Sequence, residues 1–176
     1  MSTLPDKAAA DTDATADSGT AANPAKPAKK RSPPKSARRR AREIAMQGLY
    51  RWLLAGGESK AAEADVRDMD GFEKADREHF EALLHGAVEQ AAALDAVLTR
   101  HVDRKTSLLS PVEHAILMIG VYELMNCLDV PYRVAINEAV ELAKTFGGTD
   151  GHKYVNGVLD KCATELRPEE VRSGRR

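Results

Sequence analysis

The run Ala115-Ile116-Leu117-Met118-Ile119-Gly120-Val121 constrains the fold more than any other stretch of this chain. It follows Ser110-Pro111-Val112-Glu113. There Ser110 can cap a helix, Pro111 suits the first helical position, and Glu113 can complete a capping box. The helix opened in this way is apolar almost all round. A helix without a polar face belongs at the centre of a bundle. Gly120 within it is expected to admit a close crossing with a neighbouring helix.

The flanking segments carry helical period. Ala41, Ile44, Ala45, Gly48, Leu49, Trp52 and Leu53 recur at the spacing of one buried helix face, and Gly56-Gly57 ends that helix. A short polar helix is expected around 60–67, and a long one over 72–99 with Phe80, Leu83, Leu84, Ala87, Val88, Ala91 and Leu98 as its stripe. Asp129-Val130-Pro131 breaks the chain and starts a helix that buries Ile136, Ala139, Val140 and Ala143 until Gly147-Gly148 stops it. Thr149 or Asp150 can cap a last helix burying Val155, Val158, Leu159, Cys162 and Leu166. No segment alternates with period two, so the fold class is an all-α bundle with short connections.

Residues 1–35 hold five of the chain's eight prolines and no aromatic residue. Their only large apolar side chains are Met1 and Leu4. They cannot bury enough apolar surface to offset the entropy of ordering, so a disordered tail is expected. The helical domain then covers 36–168, and the basic stretch 169–176 is expected to fray.

Charge is distributed unevenly. Residues 26–42 contain nine Lys/Arg and no Asp/Glu, whereas residues 43–166 contain 12 Lys/Arg against 21 Asp/Glu. A basic arm on an acidic body can attract a polyanion while limiting where it lies. Arg38, Arg39, Arg40 and Arg42 fall on the first turns of the first helix. Arg38 and Arg42 project on neighbouring angles, and Arg40 sits on another side above Gln47 and Arg51. Cations at a helix N-terminus oppose its macrodipole, at about 0.3–1 kcal/mol each when exposed. They make better sense where a phosphate backbone occupies that end, and guanidinium forks suit phosphate and base stacking. Composition alone does not separate RNA from DNA or an acidic membrane. Tyr50 points away from the buried stripe, near Met46. Tyr154 lies off the apolar stripe of the last helix beside Lys153, a pairing able to stack a base while the lysine holds phosphate. Tyr122 and Tyr132 read as core or rim.

Catalytic signals are lacking. His79, His85, His101, His114 and His152 form no metal-binding spacing with one another or with Cys127 and Cys162. The two cysteines read as reduced core thiols, consistent with a cytoplasmic chain. No apolar run is long enough to span a membrane, and the N-terminus lacks the apolar stretch of a secretory signal. Glu138, Glu141 and Lys144 read as an exposed helix face. No cofactor, metal or enzymatic activity is expected.

Three blocks, in order, carry a family resemblance. Arg38-Arg39-Arg40-Ala41-Arg42-Glu43-Ile44-Ala45-Met46-Gln47-Gly48-Leu49-Tyr50 resembles the opening helix of the NusB family. Val130-Pro131-Tyr132-Arg133-Val134-Ala135-Ile136-Asn137-Glu138-Ala139-Val140-Glu141-Leu142-Ala143-Lys144 is similar to its most recognisable block. Lys153-Tyr154-Val155-Asn156-Gly157-Val158-Leu159-Asp160 is similar to its closing helix. The resemblance implies about seven helices in two small helical subdomains. It further implies a transcription antitermination factor that binds the single-stranded boxA element of ribosomal RNA leaders. Its implied partners are the ribosomal small-subunit protein NusE, RNA polymerase and the other Nus factors. RNA contacts carry over to Arg38, Arg39, Arg40, Arg42 and Gln47 on the first helix, and to Asp150, Lys153 and Tyr154. Tyr50 and Glu113 match positions on the face for NusE. For Asp150 and Glu113 a capping role and a contact role both stay open. A homodimer covering the arginine-rich surface stays open as well. NusB-like domains also precede ribosomal RNA cytosine methyltransferases, but this chain has no room for the α/β domain such an enzyme needs. A helical adaptor with an incidental basic arm is the remaining alternative.

Overall fold

Ser36 starts the first helix by accepting a hydrogen bond from the Arg39 N–H through its hydroxyl, at 3.2 Å. In the computed structural model, which describes residues 35–174, this helix is α1 (Ala37–Ala55). The tail expectation for residues 1–34 lies outside the described residues. The Gly56-Gly57 pair stops α1 with φ of 70° and 88°, a left-handed region that only glycine enters without strain. The Trp52 indole N–H then donates to the Gly57 carbonyl at 2.9 Å and fastens the turn.

There follow α2 (Ser59–Val66), a 3-10 turn (Phe72–Lys74), α3 (Arg77–Glu89), α4 (Ala91–Thr99) and a second 3-10 turn (Thr106–Leu108). The chain continues with α5 (Pro111–Asn126), α6 (Tyr132–Phe146), α7 (Gly151–Leu166) and α8 (Pro168–Ser173). No strand occurs among the described residues, so the all-α class holds. The single helix expected over 72–99 is in fact a turn and two helices. Asp76 caps α3 by accepting the His79 N–H at 3.0 Å. Gln90, at φ −99° and ψ 15°, leaves helical geometry and separates α3 from α4. Apolar spacing runs on across that break, which is why periodicity alone joins the two pieces.

The apolar helix α5 occupies the centre, as its composition demands. It packs on α1, α3, α4, α6 and α7. The helices α1–α3 gather against it, as do α6 and α7, α1 also touching α6, and all share one continuous core. Gly120 does admit a close crossing. A Cβ there would lie 2.6 Å from a methyl of the fully buried Leu159 on α7.

Beyond α7 the described chain turns into the short helix α8, which is tied back to α5 and α6. The Arg167 guanidinium, 6% exposed, donates to the carbonyls of Glu123 (2.8 Å), Leu124 (2.9 Å), Cys127 (2.9 Å) and Val130 (2.6 Å). It adds a bond to the Glu123 and Cys127 carbonyls, which also accept the Cys127 and Val130 N–H at 3.0 Å, and supplies a donor to those of Leu124 and Val130, at a helix end whose dipole favours a cation. Glu170 on α8 accepts the Tyr132 N–H at 2.8 Å. That contact caps α6, whose N-cap residue, Pro131, supplies no side-chain bond. Val171 buries itself beneath α8.

Arg167→Ala would remove this guanidinium's bonds to four carbonyls, of which those of Glu123 and Cys127 keep a backbone donor. We expect a loss of about 3 kcal/mol or more. Urea denaturation followed by circular dichroism checks this; a midpoint equal to that of the unmodified chain would contradict it.

Candidate nucleic-acid interface

The N-terminus of α1 carries four arginines, and packing gives them three different environments. Arg38 and Arg39 are part exposed but engaged. Arg38 donates through Nη1 to Asp129 at 3.0 Å, and its Nε lies 3.4 Å from Asp76. The Arg39 fork grips Glu138 on α6 through Nε (3.0 Å) and Nη2 (2.9 Å). Hydrogen bonding from Arg38 holds the Asp129 carboxyl below the usual carboxylate range. Glu138, expected on a solvated face, is instead largely covered by this pairing. Arg40 lies against the turn at Gly71, where an added Cβ would meet its Nη1 at 2.6 Å. Among the described residues no carboxylate pairs with Arg40. Lys35 pairs with Glu43 at 2.6 Å.

Arg42 departs from expectation. It is 4% exposed and turns inward to Glu123, which has no exposure at all. Its Nη2 lies 2.7 Å from the carboxylate, and Nε donates to both carboxylate oxygens at 2.9 and 3.1 Å. The His79 Nε2 completes the cluster at 2.8 Å from the same group. A carboxylate has no proton to give, so Nε2 is the donor. Burial pushes the Glu123 carboxyl up, yet the bonds from His79 and Arg42 outweigh it and the net direction is down. Spacing along α1 suggests that Arg42 shares a surface with Arg38. The buried counter-charge on α5 draws it into the core instead.

The second set of expected residues gathers where α7 begins. Asp150 occupies the N-cap position but its side chain caps nothing; it pairs with Lys153 at 3.1 Å. The expected capping bond is therefore absent. The Tyr154 hydroxyl donates to Asp103 at 3.1 Å, and the Arg104 guanidinium sits 5.4 Å from the Tyr154 ring centroid. Burial and the Asp103 carboxylate raise the phenol's pKa above its ordinary value. Ser110 caps α5 by accepting the Glu113 N–H at 3.2 Å. Glu113 does not turn back to close a capping box. Its carboxylate faces Gly151 and lines an open cleft of about 300 Å³ with Arg104, Asp150 and Tyr154.

Gln47 and Tyr50 lie between these two clusters. With Met46, Val112 and Phe146 they line a mostly apolar hollow of about 190 Å³. Residues 112 and 113 are consecutive, so the hollow and the cleft adjoin at the start of α5. Arg39 meets residue 138 and Gln47 shares the hollow with residue 146. α1 and α6 thus run side by side in one direction. The arginine end meets α6 at mid-helix, through Glu138, and the Tyr154 cluster lies at the start of α7, which follows α6. Sequence reading missed Asp103 and Arg104, which belong to a connection without periodicity, and gave no sign of Asp76, Asp129 and Glu138 as arginine partners.

Nothing in this surface resembles a catalytic constellation. Among the described residues no group of three or more His, Cys, Asp or Glu side chains could hold a metal ion. Cys127 and Cys162 are free thiols, pushed by burial to about 11 and about 12. Four histidines are committed to carboxylates: His79 to Glu123, His85 to Glu63, His101 to Glu165 and His114 to Asp95. No described helix is long and apolar enough to cross a membrane.

Fold and surface together define a small all-helical binding domain with a guanidinium-rich end and an aromatic-basic edge. The model of the NusB family matches residues 39–164. A transcription antitermination protein NusB of Ralstonia nicotianae is 59% identical over 149 residues, 85% of this chain and 96% of that one. Its counterpart in Cupriavidus pinatubonensis is 54% identical over 165 residues, covering 94% and 99%. Among solved structures, NusB of T. maritima superposes with a TM-score of 0.68 at 28% identity, over 79% of this chain and 99% of that one. A structure of antitermination factors NusB and NusE with dsRNA gives 0.68 at 27% identity, over 73% and 97%. The chain belongs to the NusB family.

Two outcomes are expected of the buried cluster. Arg42→Ala should cost about 3–5 kcal/mol of stability, because it leaves Glu123 buried without its counter-charge; chemical denaturation measures it. The folded-state pKa of Glu123 is depressed, so its contribution is present above the unfolded carboxylate value of about 4.3 and fades as pH falls through the lower folded value. Denaturation midpoints should therefore drop on acidification, and drop less in Glu123→Gln. Parallel acid profiles for the two proteins would refute the assignment.

Proposed function

We propose that this chain is a transcription antitermination factor that binds boxA RNA of ribosomal RNA leaders jointly with NusE, in the cytoplasm. In this role it is a binding protein and not an enzyme, and it serves the complex that RNA polymerase forms with other Nus factors. Two clusters support the reading, the three arginines at the start of α1 and the Lys153–Tyr154 edge of α7, in a chain similar in fold to NusB in complex with NusE and dsRNA.

Arg38, Arg39 and Arg40 take the phosphates. Arg42 belongs to the scaffold that aims them. Two of these arginines already hold carboxylates, so RNA binding is an exchange in which phosphate replaces Asp129 and Glu138. The exchange is cheap: part-exposed ion pairs of this kind contribute about 0–1 kcal/mol. Counterion release from the RNA adds to the gain. Gln47 follows along α1. Asp150 accepts from base or ribose while Lys153 takes a phosphate, and Tyr154 stacks an unpaired base. Stacking favours a single strand over a duplex. NusE covers Tyr50 and Glu113, whose hollow and cleft adjoin, and adds the contacts that an acidic body lacks.

Titration of boxA RNA with and without NusE tests the reading. Affinity should rise with NusE, fall when the sequence is scrambled, and exceed that for the same RNA in a duplex. No gain with NusE, or indifference to scrambling, would end the proposal. Replacing Arg38 and Arg39 by alanine should flatten the salt dependence by about 0.7 per lost phosphate contact. Glu138→Gln frees the Arg39 fork and should tighten binding modestly; weaker binding would show that Glu138 is needed to aim the arginine.

A further inference from the structure

Open clefts flank the Tyr154 ring on both sides. One, about 300 Å³, is bounded by Arg104, Glu113 and Asp150; the other, about 320 Å³, by His101, Lys153 and Lys161. Asp103 ties the wall between them together. Its Oδ1 accepts both the Tyr154 hydroxyl (3.1 Å) and the Arg104 Nε (2.8 Å), and its Oδ2 accepts the Arg104 Nη2 (3.1 Å). One carboxylate therefore fixes the phenol and the guanidinium at once. The guanidinium lies 5.4 Å from the ring centroid. An exposed pair between neighbours in sequence adds little to stability. What the arrangement does achieve is orientation.

Ring and guanidinium are the two planar groups on which unpaired RNA bases stack. They come from different kinds of element. Tyr154 is on α7, while Arg104 and Asp103 are on the connection between α4 and the second 3-10 turn. Cations border the site: Lys153 and Lys161 both project from α7 and line the second cleft.

We infer that Arg104 and Tyr154 form a two-sided grip on one unpaired RNA base, with Asp103 as the positioning residue for both and Lys161 joining Lys153 on the adjacent phosphates. This rests on the RNA reading above and extends it to Arg104, Asp103 and Lys161. Entry of the base displaces Arg104 from the ring at the cost of the Asp103–Tyr154 bond, so Asp103 positions both groups before the base arrives. The Asp103 carboxyl, lowered to about 2 chiefly by its bond from Arg104, stays ionised throughout the range in which RNA binding is measured.

The test uses the full chain with NusE and boxA RNA carrying a fluorescent adenine analogue at each position in turn. Stacking in the grip should quench one position selectively. Arg104→Lys keeps the charge and loses the plane. It should weaken binding roughly fivefold or more, leave the salt slope unchanged and relieve that quenching. Tyr154→Phe and Asp103→Asn disturb the same hydrogen bond and should give similar, smaller losses, with thermal midpoints checking that each variant folds. If Arg104→Lys binds and quenches like the unmodified chain, Arg104 is at most a point charge and the grip is refuted, while the RNA reading stands. If the unmodified chain with NusE does not bind boxA RNA at all, the reading beneath it fails too. Lys161→Ala should make the salt slope shallower; an unchanged slope removes Lys161 from the site.

Discussion

Glu123 is a carboxylate on the central helix with no solvent exposure, and the surface of this protein depends on how it is neutralised. Arg42 reaches it from α1 and His79 from α3. A buried ion cluster is weak evidence for stability, because desolvation offsets much of the attraction. Its effect here is geometric. It fixes the rotation of α1 against α5, and that rotation determines where Arg38, Arg39 and Arg40 emerge. An apolar pair at positions 42 and 123 would fill the space with less directional constraint.

Outside the core, the same chemistry recurs in a looser form. Asp129 and Glu138 hold Arg38 and Arg39 much as phosphate oxygens would, with two-pronged geometry for Arg39. Both arginines are thereby held extended across the α1 surface. Under the proposed reading, a strand would displace these carboxylates, each exposed pair being worth little, and take over side chains already extended. On that reading the acidic body would add selectivity, because elsewhere it repels a polyanion.

How much of this is legible in the sequence depends on whether the signal is local. Ser110-Pro111, Gly56-Gly57 and Asp129-Val130-Pro131 mark element ends by their own chemistry, and α1, α5 and α6 fall where they indicate. The apolar run of α5 identifies the central helix. Tyr154 beside Lys153 is visible as a chemical pair. The rest is non-local. Arg42 and Glu123 are 81 residues apart, and nothing in either neighbourhood says that a carboxylate on an otherwise apolar helix requires a cation from α1. Arg39 with Glu138, at 99 residues, is equally silent. The break at Gln90 is invisible because the apolar spacing runs through it, and α8 is too short to show a period. Family likeness singles out α1 and the start of α7, and burial separates Arg42 from its three neighbours on α1.

The bonds from Arg167 link segments made at different times. The carbonyls it satisfies belong to residues 37 to 44 positions earlier, at the end of the helix on which most of the others pack. During synthesis α5 emerges and can coil well before that guanidinium exists, with its final turn open to water. Only when α7 has been made and laid against α5 does the end close. The last turn of the central helix thus gains part of its polar satisfaction from a residue made 37 to 44 positions later, so that the middle of the fold and its far end are finished together.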